Sequence, residues 1–84
     1  MSLQDQFDQA LLESKNLPER PDNMTLLKMY ALFKQASHGD AAGERPGFTD
    51  MVARAKFDAW DGLKGTTRDD AMQQYVDLID DLKA

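Results

Sequence analysis

Tyr30 and Lys34 stand four residues apart in a stretch of helical periodicity, so their side chains lie one above the other on one edge of a helix. A ring bearing a hydroxyl beside an ammonium suits a phosphorylated ring compound: the ring stacks while hydroxyl and ammonium hold the phosphate. Taken alone, the pair reads equally as a buried tyrosine next to a surface lysine. Lys56 is the more pointed case. At about 100° per residue, Val52, Ala55, Ala59, Trp60 and Leu63 form one continuous apolar arc. Lys56 falls in the middle of that arc, while Arg54, Asp58 and Asp61 lie opposite. A lysine so placed needs water at the rim of the core or an anion of its own.

Other chemistries find little support. The chain has no cysteine and one histidine, which argues against a thiolate metal site and a histidine-dependent triad. His38 precedes Gly39 and suits the negative end of a helix, and Asp69 and Asp70 suit the positive end of the helix that follows. No nucleophile motif, phosphate-cradling glycine loop or metal-ligand spacing is present, so no enzyme, metal or cofactor is expected. The net charge of −5 argues against nucleic acid. It leaves room for one small anionic ligand held by local cations, because screening confines the rest of the field. The opening residues, Met1 to Asp5, show neither a basic stretch nor an apolar run, and no apolar segment is long enough to span a bilayer. A soluble, cytoplasmic protein is expected.

Residues 1–84 make one domain, 42% hydrophobic, near the size at which a single core just suffices. Four segments carry helical periodicity and none a convincing period of two. Ser2 with Asp5 suggests a capping box ahead of Leu3, Phe7, Ala10 and Leu11. Pro18 and Pro21 bracket a break after Leu17. Asp22 or Asn23 caps a second helix running to about Ser37 and stopping at Gly39. Its Leu26, Leu27, Met29, Tyr30, Leu32, Phe33 and Ala36 cover more of the circumference than one packing face needs. That breadth suits a ligand or, as an alternative, a partner helix. A long loop from Gly39 to Thr49 precedes a third helix from about Asp50 to Leu63, ending near Gly62 or Gly65. Thr67 with Asp70 opens a fourth, whose Met72, Tyr75, Val76, Ile79 and Leu82 make an amphipathic stripe. Tyr75 on its own reads as core filling with its hydroxyl at the surface. The reading is an all-α, four-helix domain with one long loop between helices 2 and 3.

The run from Tyr30 to Asp40, YALFKQASHGD, resembles the second-helix signature of the acyl-CoA-binding protein family, Y-x-x-[YF]-K-Q-A-[ST]-x-G-D. Arg45-Pro46-Gly47, then Ala55 to Trp60 (AKFDAW), Leu63-Lys64-Gly65, and Asp70-Ala71-Met72 with Tyr75 and Val76 continue the match at the family's spacing. The resemblance implies an up-down-down-up bundle that binds a coenzyme A ester on its surface, works as a monomer, and carries medium- to long-chain acyl-CoA without processing it. It implies that Tyr30, Lys34 and Lys56 hold the adenosine 3′-phosphate and adenine, and that Tyr75 lies against the ligand. Lys15 and Arg20 stand where relatives often carry basic residues that meet the pyrophosphate or the ligand's ends. Met24 and Leu27 are expected to help cover the acyl chain. Phe33 stands where many members have tyrosine, keeping apolar contact and losing a hydroxyl. Phe57 replaces a frequent tryptophan.

Overall fold

Each helix begins where a short polar side chain can accept from the unpaired N–H groups of a first turn. In the computed structural model, which describes residues 1–84, α1 spans Leu3–Glu13, and Ser2 Oγ accepts from the Asp5 N–H at 3.1 Å. Asp22 caps α2 (Asn23–His38) through the Thr25 N–H at 2.8 Å. Asp50 caps α3 (Met51–Asp61) through the Ala53 N–H, and Thr67 caps α4 (Arg68–Lys83) through the Asp70 N–H, both at 3.1 Å. Only the forward half of the two expected boxes forms, since Asp5 and Asp70 are one methylene shorter than the Glu or Gln that reaches back to the cap N–H. After α1 a 3₁₀ turn, Ser14–Asn16, leads to the Pro18–Pro21 break. α3 leaves α-helical bonding at Asp61. The N–H groups of Leu63 and Lys64 then reach back three residues, to Trp60 and Asp61, in a tightened last turn.

Hydrogen bonds between helix ends fix the directions. The Trp60 indole N–H at the end of α3 donates to the Gly39 carbonyl at the end of α2, at 2.8 Å, so these two helices run parallel. Lys83 near the end of α4 pairs at 2.8 Å with Glu13 at the end of α1, making that pair parallel too. Gln35 near the end of α2 donates to the Thr66 carbonyl just before α4, so α2 and α4 are antiparallel. The result is an all-α four-helix bundle, up-down-down-up. Two parallel neighbours in sequence, α2 and α3, require a connection that travels the length of the bundle, which is the service of the long loop. Gly39 starts it at φ +82°, a left-handed turn that side chains with a Cβ avoid.

α4 packs on α1 and α2, while α3 packs chiefly on α2, giving a slab of 39 × 28 × 15 Å. The core lies among the first three of these. Phe7, Ala10, Leu32, Ala36, Ala71, Tyr75, Val76 and Ile79 form one buried cluster, with Leu32 and Ile79 fully enclosed. α3 contributes no buried residue.

Gln35, also fully enclosed, donates through Nε2 to Asp40 Oδ1 at 2.8 Å and to the Thr66 carbonyl at 2.7 Å. The Gly65 N–H donates to the same Asp40 oxygen at 2.9 Å, so the start of the long loop is bound to the α3–α4 turn. These donors, the Gly65 N–H first and the Gln35 amide second, hold the Asp40 carboxyl below its ordinary 3.8. The folded state therefore binds this proton more weakly than the unfolded state does. The associated stability is present above the ordinary carboxylate value and is lost as pH falls through the depressed folded value. Asp22 and Asp58 are depressed likewise, by the Thr25 N–H and by Arg45. Thermal melts in acid should show the midpoint falling below about pH 4, and Asp40→Ala should make that fall shallower. An identical acid profile in the variant would remove Asp40 from this account.

Candidate ligand-binding site

A helix with no fully buried side chain leaves part of its apolar side open. Together α2 and α3 wall an open cleft of about 450 Å³, within the usual range for small-molecule sites. Asn23, Leu26 and Leu27, at i, i+3 and i+4, supply the α2 wall, and Met51, Val52, Ala55 and Lys56 the α3 wall. Arg20, in the segment before α2, closes one side. Because the two helices are parallel, the seam between them changes character along its length. Its apolar end lies at the helix starts. Toward the helix ends, one to two turns on from Leu27, stand Tyr30 and Lys34, facing Lys56 and Trp60.

At that second end two cations lie over two rings. Lys56 Nζ is 5.3 Å from the centre of the Tyr30 ring, and Lys34 Nζ is 5.0 Å from that of Trp60. The ion pairs of the chain are Arg45–Asp58 and those of Lys83 with Glu13 and Asp80, so neither Lys34 nor Lys56 is neutralised by a carboxylate. Magnitudes decide what this arrangement favours. A cation–π contact at an exposed site is worth about 0.5–1 kcal/mol, whereas a hydrogen bond to a charged group contributes roughly 1.5–3 kcal/mol. An anion entering between the ammoniums outbids the rings and leaves them free to stack on a planar group.

The supports are rigid. Trp60 is fixed by its bond to Gly39 and by the edge of Phe57, with centroids 6.4 Å apart at 70°. Outside α3, Arg45 of the long loop forks onto Asp58 with bonds of 2.7 and 2.6 Å. Arg54 lies 4.2 Å over the Phe48 ring, so the loop is bound to α3 at two points. Being exposed, the Arg45–Asp58 pair adds little stability. Its use is positional, holding the long loop against α3.

The structure brings Tyr30, Lys34 and Lys56 together, as the sequence suggested, with Leu27 and Arg20 on the adjoining cleft wall. Tyr75 stands elsewhere. It is only 3% exposed, edge-on to Phe7 at 5.3 Å, and Phe7 stacks in turn on half-buried Phe33 at 6.5 Å. Lys15 is exposed on the 3₁₀ turn, and Met24 is 76% exposed; neither lines the cleft. Asn23, Leu26 and Met51 line it without having been singled out as ligand contacts. Met51 carried a readable signal, since it is one turn before Ala55 on the same face as the apolar arc.

Comparison with known proteins identifies relatives over nearly the whole chain. A family model described as Acyl CoA binding protein matches residues 4–79. The chain is 48% identical over its whole length to an acyl-CoA-binding protein homolog of Manduca sexta, covering 94% of that protein. It is 41% identical over 93% of its length to the acyl-CoA-binding protein of Saccharomyces cerevisiae, 90% of which is covered. Among solved structures it superposes on Acyl-CoA-Binding Protein 2 of Oryza sativa with a TM-score of 0.92 at 33% identity, over 96% of this chain and 90% of that one.

Proposed function

Because the chain belongs to the acyl-CoA-binding protein family, we propose that it binds medium- to long-chain fatty acyl-CoA thioesters and carries a pool of them inside the cell. The observation that carries this reading is the succession along the α2–α3 seam of an apolar cleft at the helix starts, with Lys56 in its lining, and then the Lys56–Tyr30 and Lys34–Trp60 pairs beyond it. A thioester of this class has the same division, with an alkyl chain at one end and a phosphorylated nucleotide at the other. In this reading Tyr30, Lys34 and Lys56 bind the adenosine 3′-phosphate and adenine. Leu27 covers the chain and Arg20 meets the pyrophosphate or the ligand's ends, whereas Lys15, Met24, Phe33 and Tyr75 stand off the cleft wall. The protein releases its cargo unchanged, acts as a monomer and works in the cytoplasm. No helix is long and apolar enough to cross a membrane.

The two ends contribute unequally. At about 0.8 kcal/mol per buried methylene, a dozen methylenes give roughly 10 kcal/mol gross. Ordering the ligand and incomplete burial in an open cleft offset much of that. Calorimetric titration should therefore give one-to-one binding of palmitoyl-CoA, with free coenzyme A and free palmitate each bound at least about a hundredfold more weakly. Equal affinity for palmitoyl-CoA and palmitate would remove the nucleotide site from the account. No response to any of the three would move the partner-helix reading to the front. A thioester assay run on the same samples should show no turnover.

A further inference from the structure

Met51 is the first residue of α3, is 76% exposed, and still lines the apolar cleft beside Val52 and Ala55. The other methionines differ in one respect or the other. Met29 and Met72 are half-buried against the core, and Met1 and Met24 are exposed but off the cleft wall. Susceptibility of a thioether to hydroperoxides follows its exposure, and the product is polar where the parent was apolar.

We infer that Met51 is a site of reversible oxidation whose sulfoxide weakens the hold on an acyl chain and spares the nucleotide end of the cleft. The inference rests on the acyl-CoA reading above. In the step, the sulfur lone pair attacks one peroxide oxygen. The O–O bond breaks, an S–O bond forms, and the hydroperoxide leaves as water or an alcohol. Sulfur loses two electrons and the peroxide gains them; methionine sulfoxide reductases reverse the change. An acyl chain laid over the sulfoxide must strip its water without supplying a hydrogen bond. Lys56 lies five residues and Trp60 nine residues further along α3, about 7.5 and 13 Å at 1.5 Å per residue, so the sulfoxide sits more than a helical turn short of the first cation. The converse also holds: a bound chain covers Met51 and shields the sulfur.

The test treats the whole protein with hydrogen peroxide, locates sulfoxides by peptide mass spectrometry, and titrates palmitoyl-CoA and free coenzyme A before and after. The parent should lose about tenfold in palmitoyl-CoA affinity, keep its affinity for free coenzyme A, and recover on treatment with a reductase. Met51→Leu, oxidised in the same way, should keep whatever thioester affinity it had before treatment. Bound palmitoyl-CoA should slow sulfoxide formation at Met51 and leave Met1 unprotected. A loss that persists in Met51→Leu assigns the effect to another methionine and overturns the inference. So does an equal loss for free coenzyme A, or no loss with Met51 fully oxidised. The untreated parent is measured first. If it shows no preference for the thioester over free coenzyme A, the acyl-CoA reading fails and this inference with it; a preference indifferent to oxidation overturns this inference alone.

Discussion

Lys56→Ala should weaken palmitoyl-CoA binding about thirtyfold while leaving the thermal midpoint nearly where it was. The first half follows from the loss of one charge-assisted hydrogen bond to phosphate, roughly 2 kcal/mol. The second half follows because Lys56 is exposed, joins no ion pair and supports no core residue. The ring that its ammonium lies over, Tyr30, keeps its place on α2. The decisive control changes the ligand. Palmitoyl-dephospho-CoA lacks the 3′-phosphate, so if Lys56 holds that group the substitution should cost this ligand almost nothing. The coupling between deleting the lysine and deleting the phosphate then measures their contact directly. Equal losses for both ligands would mean that Lys56 contacts some other part of the molecule. Lys34→Ala should behave in the same way, with the added signature of a changed Trp60 fluorescence in the free protein, since its ammonium lies over that indole.

The opposite separation is expected at Leu32. It is fully enclosed in the cluster formed with Phe7, Tyr75 and Ile79, on the side of α2 away from the cleft. Leu32→Ala removes three buried carbons and leaves a cavity, costing about 2–5 kcal/mol. In a domain of this size that corresponds to a fall in melting midpoint of roughly 10–30 °C. Below the new midpoint the cleft is intact, so the dissociation constant for palmitoyl-CoA should match the parent's. Ligand at a hundredfold its dissociation constant should then restore about 2.7 kcal/mol in both proteins. A variant that stayed folded but lost binding would show that the core and the cleft are coupled.

The sequence was legible where the signal is local. Four helices and three of their caps could be read because a cap residue and a periodic stripe lie within a few positions of each other. Lys56 stood out because it broke a pattern that its own neighbours define. The breadth of the apolar arc on α2 also had its structural counterpart: Ala31, Leu32 and Ala36 are buried, while Leu26 and Leu27 face the cleft. What stayed hidden depends on how helices meet across the long loop. A helical wheel says which residues share a face and is silent on which face finds a partner. The apolar arc of α3 therefore gave no sign that it would stay open. At the start of α2, Asn23 lines the cleft and Met24 does not, because one residue turns the side chain by about 100°. Gln35 was visible only as part of a motif. Its burial and its bonds to Asp40 and Thr66 join segments that approach only in the folded chain.

That α3 places no residue in the buried core has an evolutionary consequence. In most small domains a residue that shapes a ligand site also fills the core, so new selectivity is gained at the expense of stability and needs a reserve to draw on. Here the two are written on different surfaces. Met51, Val52 and Ala55 can change size or polarity without disturbing the contacts of Leu32 and Ile79. A lineage built on this bundle can therefore drift in what it carries, one conservative step at a time, without first becoming more stable.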